Sequence, residues 1–276
     1  MNTKPVVDCI KLAVIFSVCI AYQGCANSIE TEASDIGMVA LTLKGAPFKH
    51  RVYSLPAESE SSTPVVFLLV DGDGRAFINP TTVAADPTPE FSSLLALSPD
   101  LAELGDVFYL GRPCYHRMND PQCNPILWTL ARYSQTIIDS SVSAARQLIQ
   151  KGDRVILLGY SGGGVIAMLM ARLLHPQVAG VVTFGSPLDT DAWTSFHGYT
   201  RLALSENPAS DPDSFSNFCQ AHLFGNRDQI VPEELFTSWR WHSTHPASIV
   251  SSDHSCCWQS AVLNAARSLI ETCAAD

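Results

Sequence analysis

The chain has 276 residues, 46% of them hydrophobic and 16% charged, with a formal net charge of −10. That hydrophobic share supports a sizeable core and excludes intrinsic disorder, and the length fits one α/β domain with at most a small cap. The acidic balance and the lack of any Lys/Arg-rich run exclude a nucleic-acid partner, which would require a basic face.

Residues 1–25 read as a signal peptide. Lys4 and Lys11 supply a thin positive region, and Leu12 to Tyr22 is an apolar stretch of signal-core length. It falls short of the about 20 apolar residues of a membrane span. Cleavage before Cys25 with lipidation of that cysteine resembles a bacterial lipoprotein, although Tyr22 stands where such signals carry leucine. The expected location is the cell envelope, anchored through Cys25 or periplasmic, with secretion as the alternative. Residues 26–38 are expected to form a flexible tether, being polar and acidic from Asn27 to Asp35.

Residues 39–276 read as the folded domain. Val39 to Lys44 and His50 to Leu55 suggest an opening hairpin. Val65 to Val70 is apolar throughout, as a strand covered on both faces would be, and runs into Asp71-Gly72-Asp73-Gly74. A helix is expected from Phe91 to Leu104, a strand from Val107 to Leu110, and an irregular stretch from Gly111 to Leu130. Ile138, Val142, Ala145 and Ile149 stripe one face of a helix within Ser134 to Gln150. Strands follow at Val155–Leu158, Val178–Phe184, Gln220–Phe224 and Pro246–Val250, and Trp258 to Cys273 closes the chain as a helix. Residues 187–217 read as a cap-like insertion. The alternation of strand and helix implies a mostly parallel, doubly wound sheet. Ligands on such sheets bind beyond the carboxyl ends of the strands, where every polar cluster named here should converge.

Six cysteines lie beyond the leader: Cys114, Cys123, Cys219, Cys256, Cys257 and Cys273. An even set in an exported chain suggests disulfides. Cys114 and Cys123 are the natural local pair. Cys256 and Cys257 are adjacent and bond each other with difficulty, so each is expected to reach elsewhere, towards Cys219 and Cys273. No C-x-x-C or paired-histidine spacing marks a zinc site.

Gly159-Tyr160-Ser161-Gly162-Gly163 reads G-x-S-x-G between a buried strand and an apolar helix. That context makes a nucleophile elbow, with Ser161 lifted onto a tight turn above the sheet. A serine hydroxyl needs a base as it attacks, and histidine suits the role because its pKa lies near neutrality. A carboxylate then holds the histidine in the right tautomer. The order expected on this fold is serine, acid, histidine. His254, between the last apolar segment and the closing helix, is the base by placement; His242 and His245 compete but precede the last strand. Asp228, after the Gln220–Phe224 strand, is the acid, with Asp189 as the alternative. The oxyanion donors are expected at the Gly162 N–H and at Asp73 or its neighbour Gly74. Asp71–Gly74 does not make a calcium loop, since Arg75 stands where a third ligand should be and no Glu closes the run. Trp193, Phe196, Tyr199 and Phe215 are either pocket-forming aromatics or cap packing.

These residues resemble the α/β-hydrolases, in particular exported serine hydrolases of bacterial envelopes with a Gly-Tyr-Ser-Gly-Gly-Gly elbow. The similar pieces are Gly111-Arg112-Pro113-Cys114-Tyr115, Trp128-Thr129, Gly159 to Gly164, Gly185 to Asp189 with Trp193, and Gly225 to Pro232, across roughly residues 40 to 270. The resemblance implies the α/β-hydrolase fold, the triad order and ester-type hydrolysis of a small-molecule acyl substrate without metal or organic cofactor. Asp71-Gly72 departs from the family's usual His-Gly before the oxyanion loop. An acyltransferase using the same residues and a non-catalytic envelope binding protein are the alternatives.

Overall fold

The computed structural model describes residues 28–58, 65–237 and 247–273. The expected signal peptide with Cys25, and His242 and His245, lie outside those residues.

Strands β1 (Val39–Lys44), β2 (Lys49–Leu55) and β3 (Val65–Val70) open the sheet. A two-stranded ribbon follows, β4 (Phe77–Asn79) with β5 (Thr82–Val83). Then come β6 (Asp106–Leu110), β7 (Arg154–Tyr160), β8 (Val178–Phe184), β9 (Cys219–Gly225) and β10 (Ala247–Val250). The eight-stranded sheet runs β1-β2-β6-β3-β7-β8-β9-β10. β2 is antiparallel to both β1 and β6, and every other neighbouring pair is parallel.

The helices are α1 (Ser28–Asp35), α2 (Ser98–Ala102), α3 (Gln135–Ala145), α4 (Gly162–Leu174), α5 (Thr190–Phe196), α6 (Glu234–Thr237) and α7 (Gln259–Cys273). They cover both faces of the sheet, and the pleat of β3 shows how. Val66, Leu68 and Val70 point into the core shared with α3 and α4, whereas Val65, Phe67 and Leu69 point into the core shared with α1, α2 and α7. Both faces are therefore apolar, as a central parallel strand requires. This is the α/β-hydrolase fold.

Two expectations change. Ser28–Asp35, read as tether, is helical because Ile29 and Ala33, four residues apart, are both fully buried against the α2 side of the sheet. The helix expected at Phe91–Leu104 is limited to a 3-10 turn at Leu95–Leu97 and the short α2, since Phe91 faces solvent. The ribbon β4–β5 occupies a stretch that lacks strand periodicity.

The cysteines pair as Cys114–Cys123, Cys219–Cys273 and Cys256–Cys257. The first is as expected. The adjacent pair is a correction: Cys256 and Cys257 do bond each other, with Cys257 in the left-handed region at φ 78°. Cys219 and Cys273 are partners because α7 packs along β8 and β9, bringing its last residue beside the start of β9 with Cα atoms 6.3 Å apart. The bond spans 54 residues. Replacing both Cys219 and Cys273 by serine is expected to cost about 4 kcal/mol of stability from the chain entropy of so long a loop. Denaturant titration of the variant against the parent checks this; an unchanged midpoint would show that packing of α7 alone holds that end.

Candidate active site

Strand β7 ends at Tyr160, and α4 begins at Gly162. Ser161 joins them with φ 51° and ψ −129°, a conformation that non-glycine residues rarely adopt. Its N–H donates to the Phe184 carbonyl at 3.0 Å, which ties the turn to β8. Two glycines make the turn possible. A side chain on Gly163 would run into the Val70 carbonyl, and one on Gly159 would run into Gly164. The chain can turn this sharply only where backbone meets backbone without a Cβ between.

Ser161 Oγ lies 3.1 Å from His254 Nε2, and His254 Nδ1 lies 2.8 Å from Asp228 Oδ2. Three separate loops supply these side chains, following β7, β9 and β10. Asp228 is held by the chain around it: its Oδ1 accepts from the N–H groups of Ile230 and Val231, both at 2.8 Å. Its side chain is fully buried, while that of His254 is 21% exposed. A carboxylate locked by two backbone donors presents its second oxygen to the imidazole in a defined direction, which favours a proton on Nδ1 and leaves Nε2 to face the hydroxyl. Gly185, at φ 55°, keeps room for the pair, since a Cβ there would lie 3.2 Å from Asp228 Oδ2. The His254 backbone carbonyl accepts from the Tyr160 hydroxyl at 2.6 Å and from the Trp258 indole N–H at 3.2 Å, fixing the loop that carries the ring.

Other histidines meet hydroxyls too. His50 contacts Ser140 at 2.9 Å and His222 contacts Thr183 at 2.7 Å, but both rings are buried in the body of the fold. Burial holds the His50 pKa down to about 4 despite its hydrogen bonds to Gly111 and Ser140. Asp189 caps α5 by accepting from the Ala192 N–H, which accounts for it structurally.

Gly162 is the first residue of α4, so its N–H has no partner one turn back. Across the turn, Gly72 faces the serine: a Cβ on Gly72 would lie 3.1 Å from Ser161 Cβ. The Gly72–Asp73 segment therefore borders the hydroxyl. The Asp73 side chain does something the sequence does not announce. Its carboxylate accepts from Arg112 at 2.6 Å, Arg132 at 2.7 Å and the Tyr133 hydroxyl at 2.7 Å, while the Asp73 carbonyl accepts from Tyr115 at 3.1 Å. Burial alone would raise the Asp73 pKa, but the charges of Arg132 and Arg112 outweigh it and hold the carboxyl well below its ordinary range. Arg132 and Tyr133 lie in a run without any motif. Arg112 stood in the sequence only within the Gly111–Tyr115 piece of the resemblance, with no role attached.

Asp71 is buried, accepting from the Gly72 N–H at 2.8 Å and the Tyr109 hydroxyl at 3.2 Å, and burial pushes its pKa up. It lines the cleft at the foot of the Gly72–Asp73 segment.

Ser161 and His254 open into a cleft of about 1340 Å³. One wall comes from the β4–β5 ribbon and the segment after it, with Phe77, Val83 and Phe91. The facing wall comes from α5 and the loop beyond it, with Trp193, Tyr199 and Leu202. The four aromatics of uncertain fate thus divide: Trp193 and Tyr199 line the cleft, Phe215 is core, and Phe196 faces solvent. Among the described residues no group of three or more His, Cys, Asp or Glu side chains is arranged to hold a metal ion.

No protein-family model matches the sequence, and no curated protein matches it either. Solved structures do share its fold. Est1E from Butyrivibrio proteoclasticus superposes with a TM-score of 0.60 at 13% identity, covering 86% of this chain and 99% of that one. An esterase from Pyrococcus furiosus gives 0.61 at 11%, covering 85% and 90%. A membrane phospholipase A described as a bacterial virulence factor gives 0.60 at 13%, covering 88% and 89%.

Proposed function

We propose that this chain is a serine hydrolase of carboxylic esters or related acyl compounds. The observation that carries the reading is the hydrogen-bonded series Ser161–His254–Asp228 on the floor of an open cleft. The fold is shared with esterases and a phospholipase, which supports the same reaction class without naming a substrate.

Ser161 Oγ attacks the carbonyl carbon while His254 Nε2 takes its proton. The oxyanion is met by the N–H of Gly162 and by that of Asp73. As the tetrahedral intermediate collapses, the C–O bond to the alcohol breaks and the imidazolium returns the proton to the leaving oxygen. Water then attacks the acyl-enzyme, with His254 again as base, and the carboxylic acid leaves. Asp228 orients the ring and stabilises its charged form throughout.

The three disulfides support folding in an oxidising compartment, in keeping with export to the envelope.

A fluorophosphonate probe tests the central claim. Ser161 is expected to be labelled stoichiometrically, as read by peptide mass spectrometry, with no labelling of Ser161→Ala. A folded protein that resists the probe would remove the basis for the assignment.

A further inference from the structure

The chemistry of the cleft lining specifies its substrate beyond "acyl ester". Every acidic or arginine side chain that lines it already has a partner. Asp73 and Arg132 hold each other, Asp71 is occupied by Gly72 and Tyr109, and Arg75 pairs with Glu90 at 3.5 Å on the rim. Among the described residues the lining contains no lysine, asparagine or glutamine. Among the described residues, the exposed cation on the lining is Arg75, which stands on the rim beside Glu90, so a phosphate or carboxylate would meet a pair of no net charge. A sugar would find no amide fork among the described residues, and the exposed carboxylate there would be Glu90 on the rim. The Trp193 indole N–H is spent on the Ile230 carbonyl at 2.7 Å, so its ring offers an apolar face.

The two walls beside the serine are largely hydrocarbon, Phe77, Val83 and Phe91 on one and Trp193, Tyr199 and Leu202 on the other, with the hydroxyls of Thr129, Thr194 and Thr200 among them. The volume exceeds the roughly 300–1000 Å³ of a pocket for a small molecule. An acetyl group would leave most of it filled with water against aromatic rings. The mouth is apolar as well: Phe91 is 77% exposed, Tyr199 53% and Phe77 42%. Clustered around a catalytic opening, such side chains mark a surface that a ligand covers.

We propose that the substrate is an uncharged long-chain acyl ester, a neutral lipid whose hydrocarbon lies between the ribbon wall and the α5 wall. This rests on the serine hydrolase reading. Water is the co-reactant, the acyl C–O bond breaks, and a fatty acid and an alcohol leave.

The test measures kcat/KM for p-nitrophenyl butanoate, octanoate and decanoate, each kept monomeric. It adds p-nitrophenyl acetate and an acetylated sugar, with fluorophosphonate labelling of Ser161 in parallel. Six added methylenes are expected to raise kcat/KM by about 30-fold, against a ceiling of roughly 3 × 10³ for complete burial. Phe91→Ser and Leu202→Ser are each expected to lower the decanoate-to-butanoate ratio by at least about threefold, close to the worth of one buried methylene. Normal labelling with a rate that is flat or falls with chain length overturns the lipid assignment alone. Preference for the acetylated sugar does the same. Failure of both labelling and all ester cleavage overturns the hydrolase reading and this proposal with it.

Discussion

Replacing His254 with alanine is expected to lower kcat on any acyl ester by about 10⁴- to 10⁶-fold while leaving the protein folded. The size of the loss follows from the nucleophile: without a base 3.1 Å away, the Ser161 hydroxyl must give up its proton to water as it attacks. The fold should survive because His254 contributes to the loop mainly through its backbone. Its carbonyl accepts from Tyr160 and Trp258, and alanine keeps both hydrogen bonds. Ser161→Ala is expected to fall to the same floor, and the double variant no further, since the two groups act as one unit. Asp228→Asn is expected to lose about 10⁴-fold, because an amide in place of Oδ2 would drive the proton from Nδ1 to Nε2 and turn the wrong nitrogen to the serine. Initial-rate kinetics with near-unchanged circular dichroism are the check. A His254→Ala variant that keeps a tenth of its turnover would refute the assignment, and losses that multiply in the double variant would refute the coupling.

The residues proposed for this unit stood out in the sequence for a physical reason. An elbow needs glycines on both sides of its serine, so the pattern records a steric demand that the structure meets at Val70 and Gly164. Asp228 and His254 follow strands, and strand ends in a parallel sheet converge on one edge. The sheet itself was readable because β3, β7 and β8 are apolar on both faces. What the sequence hid depends on contacts between distant loops. The Asp73 cluster joins three segments that share no spacing rule. The β4–β5 ribbon is too short to show a period. The Cys256–Cys257 bond runs against the expectation that neighbouring cysteines look elsewhere, which holds only where the backbone cannot take the left-handed turn found at Cys257.

The Asp73 cluster leads to the second large effect. Asp73→Asn is expected to destabilise the protein by about 3 kcal/mol and to lower kcat by about 10²-fold in what remains folded. Arg112 and Arg132 have side chains only 3% and 10% exposed, and Asp73 is the acidic side chain paired with both. Removing one partner of such an enclosed pair leaves charge without compensation, which costs more than the intact pair contributes. The effect on turnover is separate. Asp73 carries an expected oxyanion donor, its carboxylate packs against Gly162, and its carbonyl is held by Tyr115. The cluster therefore sets the position of one donor relative to the other. Because its pKa is lowered in the folded protein, the stability Asp73 supplies is present above the ordinary carboxylate range and is lost as pH falls through the lowered value. The deficit of the asparagine variant should accordingly be constant from neutral to mildly acid pH and narrow only in strong acid. Tyr133→Phe separates the two roles: it removes one hydrogen bond to Asp73 and leaves both ion pairs. It is expected to cost about 1–2 kcal/mol in stability and to reduce kcat several-fold with KM almost unchanged. The matching loss should appear in affinity for a trifluoromethyl ketone, whose adduct on Ser161 bears the oxyanion. If Tyr133→Phe lowers stability but leaves kcat and inhibitor affinity intact, the cluster supports the fold alone and the second oxyanion donor must be sought elsewhere on the loop.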